Sequence, residues 1–254
     1  MQAMKIRNIS GGIILSLILG LSLCAQSRPE LIKSIDHITT KDQLSEWLNY
    51  YYVHPRPDLV VSAMQFMSTQ GKLQEASAKT PFCVFLANVF AANPANVETW
   101  FGELRSGPED QQSALALVLW MTDTKGSQSL LKSLSKEGSP TFQEYVTELA
   151  ADDHRPDFLH DEINSPGFLD ALWVSFLVSG DERYVKRVIS ALPLINDSDT
   201  GRMLIGGAAK WSLASNAFQH PKVMQICEAQ LKELPDQQRA ALAEVIQSAR
   251  EQKK

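Results

Sequence analysis

The sequence predicts an all-α fold, an irregular stack of antiparallel helical hairpins of the α-solenoid kind. Three observations lead there. Apolar residues recur at helical spacing through most of the 254-residue chain, and no segment alternates apolar and polar residues as a half-buried strand must. The helical segments are joined by corners so short that the chain has to reverse. "FLDALWVSFLVSGDERYVKRVISAL" (168–192) shows all three. Leu169, Leu172, Trp173, Phe176 and Leu177 form one apolar stripe, and Val185, Val188, Ile189 and Leu192 form a second. Between them, Gly180 suits the left-handed residue that ends a helix, and Asp181 suits the N-cap of the next, accepting the backbone N–H of Tyr184.

The N-terminus has a different character. Lys5 and Arg7 precede the apolar run "GGIILSLILGLSL" (11–23), and small residues follow in "CAQS". That order is the secretory signal pattern, and the apolar core is short for a bilayer span. Residues 1–25 are read as a signal peptide cleaved after Ala25, which makes the protein exported, periplasmic or secreted. An outer-membrane lipoprotein anchored at Cys24 is the alternative, and the only membrane attachment the sequence offers. Its signal calls for a small residue before the cysteine, where Leu23 stands.

From residue 26 on, one all-helical domain is expected, with a possible subdivision near 136–166. A helix from Asp42 to Val53 presents Leu44, Trp47, Leu48 and Tyr51 on one face. Hairpins follow at 82–104, turning at Asn93-Pro94, and at 113–134, turning between Asp123 and Gly126. "KEGSP" (136–140) and "NDSDTG" (196–201) read as loops, and residues 204–231 form a hairpin turning at His220-Pro221. The last helix carries Leu242, Val245, Ile246 and Ala249 on one face. Pro57, Pro94, Pro166, Pro221 and Pro235 punctuate helix starts, where a missing N–H removes no intrahelical bond. Gly206-Gly207 allows close backbone approach and is no phosphate loop.

"LDALWVSFLVSGDERYV", "AAKWSLASNAFQHPKV" and "WLNYYYVHPRPDLVVSAM" resemble a family of signal-bearing, all-helical bacterial proteins with no assigned activity. The resemblance implies an exported bacterial protein and transfers no catalytic residue. A generic likeness to helical-hairpin solenoids goes with it, without the tetratricopeptide consensus.

Composition narrows the function. Formal net charge is −5, and residues 1–25 hold two cations and no acid, so the remainder is more acidic still. With no basic run, nucleic acid and anionic surfaces are poor partners. No cofactor is called for. The leading expectation is a non-enzymatic binding or scaffold protein for a peptide or protein of the bacterial cell envelope, since helical stacks present extended surfaces. Half-constrained aromatic and polar groups mark its candidate binding residues: Tyr50, Tyr52 and Arg56 near one end, Lys210 and Asn216 near the other. The alternative is an envelope hydrolase or metal-dependent enzyme built on "ADDHRPDFLHDE" (151–162), with His154, His160 and Asp161 as ligands. There the six-residue spacing of the histidines, with Pro156 between them, departs from the i, i+4 pair of a helical metal site. Ser215 and His220 lack the acid and the glycine elbow of a serine hydrolase. Cys83 and Cys227 sit in apolar helical contexts, as small buried hydrophobes do.

Overall fold

The computed structural model describes residues 32–252. The signal-type segment, and Cys24 with it, lies outside the described residues. Among the described residues there are twelve α-helices, a few 3-10 turns and no strand. Two compact units are formed, one from residues 32–157 with 177–179 and one from 158–176 with 180–252.

The first unit contains α1 (Lys41–Tyr50), α2 (Val60–Thr69), α3 (Ala76–Ala92), α4 (Val97–Leu104), α5 (Glu109–Thr122), α6 (Lys125–Leu134) and α7 (Pro140–Ala151). Helix α5 is apolar on every side, with Ala114, Leu115, Ala116, Val118, Leu119 and Trp120 all buried. Such a helix belongs in a core, and α2, α3, α4, α6 and α7 all pack on it. Asp123 ends α5 in the left-handed conformation with φ 49°, a region where a non-glycine residue is usually Asn or Asp. Thr124 then opens α6 with a capping box, its hydroxyl accepting from the Ser127 N–H at 3.1 Å. The expected pair at 113–134 is therefore present. The expected pair at 82–104 has its corner at Asn93-Pro94, but α3 packs on α5 and α4 packs on α2. A 3-10 turn, Pro94–Asn96, stands between two helices with different partners.

The aromatic face of α1 lies where the sequence puts it. Trp47 and Tyr51 are buried, and each meets Phe85 of α3, at 5.0 and 5.5 Å between ring centroids. The helix is shorter than expected: it ends at Tyr50, and a turn continues to Val53. Helix α3 is longer than expected, because it runs through Pro81.

The second unit contains α8 (Pro166–Ser179), α9 (Glu182–Ser190), α10 (Thr200–Gln219), α11 (Pro221–Gln230) and α12 (Asp236–Glu251); the last three residues of α8 cluster with the first unit. Helix α10 is the centre. It packs on the 3-10 turn Leu192–Asn196, on α11 and on α12, and α9 packs on both α10 and α11. The loop expected at 196–201 is shorter than expected, since the 3-10 turn reaches Asn196 and α10 begins at Thr200. The apolar face of α12, Leu242, Val245, Ile246 and Ala249, is buried as expected. Pro235 is the N-cap of α12 rather than its first helical residue.

The corner at 180–183 is structural. Gly180 adopts φ 66° and closes α8, its N–H donating to the Phe176 carbonyl. Asp181 caps α9, but its carboxylate accepts from the N–H of Arg183 at 2.9 Å and not from Tyr184, whose N–H bonds the Asp181 backbone carbonyl. The Arg183 guanidinium folds back on the same carboxylate at 2.6 Å and holds its pKa below the ordinary range. Asp181→Ala is expected to lower unfolding free energy by about 1 kcal/mol in urea titrations. An unchanged midpoint would show that the cap contributes nothing.

Candidate functional site

Helix α10 has one buried and one exposed apolar face. Asp199 starts it, accepting from the Arg202 N–H at 2.9 Å. Ile205, Gly206, Ala209, Ser212, Leu213, Asn216 and Ala217 line the inner side. Gly206 is required there: a Cβ on it would lie 2.0 Å from the backbone nitrogen of Ile195. On the outer side, Met203, Leu204 and Trp211 are 42, 58 and 52% exposed. Gly207 falls between them, and a Cβ on it would meet nothing within 4 Å. Met203, Gly207 and Trp211 are successive i, i+4 positions on one line of the helix. The result is an apolar stripe with a notch at its middle.

Charge borders the stripe. Arg202 pairs with Asp197 at 2.7 Å and with Glu162 at 3.7 Å. Lys210, next to Trp211, pairs with Glu244 of α12 at 2.6 Å. The Asp197 carboxyl is held below its ordinary pKa, first by the Asp199 N–H and then by Arg202; that of Glu244 is lowered by Lys210. Of the two expected binding residues here, Lys210 borders the stripe. Asn216 does not reach the surface: it is fully buried, its amide donates to the Ser212 carbonyl at 2.9 Å, and its Oδ1 has no partner among the described residues. His220 is also buried, at the corner between α10 and α11, and burial pushes its pKa down to about 4.

In the first unit, Tyr50 and Tyr52 are half-buried beside Val53, which is 48% exposed. Burial pushes the Tyr50 phenol up to about 12, with Glu46 and Tyr52 adding to it, and burial raises Tyr52. Arg56 is committed to the protein itself. Its guanidinium donates to the carbonyls of Ile32 and Ile35 at 2.5 and 2.8 Å and grips the Asp58 carboxylate at 2.6 Å. Its own carbonyl accepts from the Trp47 indole at 2.9 Å. An arginine fork used in this way ties down chain and has little left for a ligand.

The 152–162 segment spans both units, with His154 in the first and His160 and Asp161 in the second. Asp152 accepts from the His154 N–H at 2.9 Å, and the Asp161 carbonyl accepts from Arg187 at 2.5 Å. Arg155 lies over the Trp120 ring at 5.5 Å and pairs with Asp123 at 2.9 Å. Among the described residues, no group of three or more His, Cys, Asp or Glu side chains is placed to hold a metal ion. The protein is accordingly expected to keep its melting temperature in EDTA; a drop restored by one divalent ion would place a metal in it.

The exposed side of α10 is the feature that sequence reasoning missed. The signal present was the glycine pair, of which only the first has a partner inside the fold. No family model, curated protein or solved structure matches the chain.

Proposed function

We propose that this chain is an exported, non-enzymatic binding or scaffold protein of the bacterial cell envelope, acting by surface complementarity on a peptide or protein partner. The α10 stripe carries the reading. Single exposed apolar residues are ordinary, but three large ones aligned on one helix face with a notch between them have the form of a docking surface. Lys5 and Arg7, the apolar run 11–23 and the small residues Cys24, Ala25 and Ser27 support export. The packed pairs α5–α6 and α10–α11 support an irregular, α-solenoid-like stack of hairpins.

Two measurements test this. Cell fractionation with N-terminal sequencing is expected to find the chain outside the cytoplasm and starting after Ala25; an intact N-terminus in the cytoplasm would refute export. Affinity capture from envelope extract is expected to recover a protein that the double variant Met203→Ser, Leu204→Ser loses. Both residues are solvent-exposed, so that variant should melt like the parent. Identical recovery by both chains would remove the stripe from the function.

A further inference from the structure

This inference rests on reading the α10 stripe as a binding face, and it names the kind of partner. We propose that the partner presents a short basic amphipathic helix, one apolar side chain of which seats in the notch at Gly207.

The two neighbouring glycines carry the first step. Gly206 has a reason inside the fold, because any side chain would strike the Leu194-Ile195 backbone. Gly207 has none, because a Cβ there points into open space. Glycine inside a helix is less stable than alanine, so folding alone favours alanine at 207. What glycine provides is a gap in the stripe between Met203 and Trp211, its i−4 and i+4 neighbours. A side chain from a crossing helix fits such a hole, as knobs fit holes between packed helices.

Size decides between a single helix and a second copy of this chain. From Met203 to Trp211 the stripe runs about 12 Å along α10, two helical turns. That length matches the i, i+3 or i+4, i+7 anchors of one helix laid on a face. Three half-covered side chains offer a few hundred Å², well short of the ~800 Å² per partner of a stable dimer.

Charge decides the sign. The ionised groups on α10, at its cap and paired with them are Glu162, Asp197, Asp199 and Glu244 against Arg202 and Lys210. Both cations already hold an acid, which leaves the Asp199 cap and the second acid on Arg202 as an acidic surplus within this set of paired and capping groups. A second acidic copy or an anionic lipid surface would meet like charge there, whereas lysines or arginines flanking an apolar helix face would meet opposite charge.

Trp211 supplies the readout, because the other four tryptophans are at most 5% exposed. Three synthetic 14-residue peptides serve as probes: a Leu/Lys amphipathic helix, a Leu/Glu helix with the same leucine positions, and the Leu/Lys peptide interrupted by proline. The Leu/Lys helix is expected to bind with micromolar Kd, shift the emission to the blue and shield it from acrylamide. Affinity is expected to fall at least about tenfold in Gly207→Leu and in Leu204→Ser, both folded like the parent, and to fall with added salt. Equal binding of the Leu/Glu or proline-interrupted peptide, or an unaffected Gly207→Leu, would overturn the proposal. So would binding to anionic vesicles in place of the peptide, or a dimer in sedimentation that Leu204→Ser abolishes. If no peptide binds while affinity capture still depends on Met203 and Leu204, the helix proposal falls and the binding reading stands. If capture is indifferent to those residues, the binding reading itself falls.

Discussion

Gly206→Ala is expected to unfold in far less urea than the parent chain, while Gly207→Ala, one residue along, unfolds in slightly more. The methyl group at 206 would lie 2.0 Å from the nitrogen of Ile195 and 2.6 Å from its Cα. These are backbone atoms of the 192–196 turn, which cannot rotate away as a side-chain end can. Helix α10 would have to lift off that turn, its most extensive neighbour. Overpacking of this kind costs about 1–3 kcal/mol, occasionally more. At 207 the methyl group meets nothing, so the change keeps only the gain of replacing a helix-interior glycine, about 0.5–1 kcal/mol. Equal midpoints for the two variants would contradict the close approach of α10 to the turn.

Asp170→Asn is expected to stabilise the protein at pH 8 and to leave it unchanged near pH 4. Asp170 lies in α8 among Phe168, Leu169, Ala171, Leu172 and Trp173, all buried. Burial raises its carboxyl pKa to about 7. The folded chain therefore binds this proton more tightly than the unfolded one, whose carboxyl titrates near 3.9. Below that value both states are protonated and the side chain costs nothing as a charge. As pH rises toward 7 the unfolded state ionises while the folded state resists, so stability falls and the loss is complete above about pH 7. The gap in pKa corresponds to about 4 kcal/mol. The amide that replaces the carboxyl in the variant has no charge to desolvate, so the difference between the two chains in urea should open from near zero to that order. His220 works in the opposite sense. Its folded pKa, about 4, lies below the unfolded value, so its stabilisation is present above pH 6.5 and is lost as pH falls toward 4. Both chains share it, and it cancels from the comparison. A difference independent of pH would show that Asp170 is not buried as an acid.

Corners are the most legible part of the fold. Asn93-Pro94, Asp123, Gly180-Asp181 and His220-Pro221 each break a helix by a local mechanism, through a fixed proline φ, a left-handed residue or a cap, and each breaks it in the structure. What packs on what is not legible. Helix α3 prefers α5 to its sequence neighbour α4, and partner choice depends on side-chain shape across long separations. Helix α3 also extends past Pro81 because a proline in the second turn removes one bond from a helix whose later face is almost wholly buried.

The candidate site divides the same way. Lys210 reads as a surface group because a lysine is seldom fully buried, and it stands at the edge of the stripe with Glu244. Asn216 reads as a surface group too, but it is in the core, held by a bond to its own helix. Arg56 reads as a ligand contact and is instead a clamp on the carbonyls of Ile32 and Ile35, partners that no spacing rule connects to it. Met203, Leu204 and Trp211 are invisible in the sequence because α10 also carries Ile205 and Leu213 on its opposite side. A helix apolar on both faces gives no period from which to tell its outside.

Cys83 and Cys227 are free thiols, both fully buried, and each lies in a different unit. Burial pushes both thiols up to about 12, so in the closed protein they are poor nucleophiles. A thiol reagent can reach Cys83 only when the first unit opens around α3, and Cys227 only when the second opens around α11. Pulsed alkylation followed by peptide mapping would then time the two openings separately in one unmodified chain. The protein thus holds two internal clocks, and they would tell whether its halves breathe together or apart.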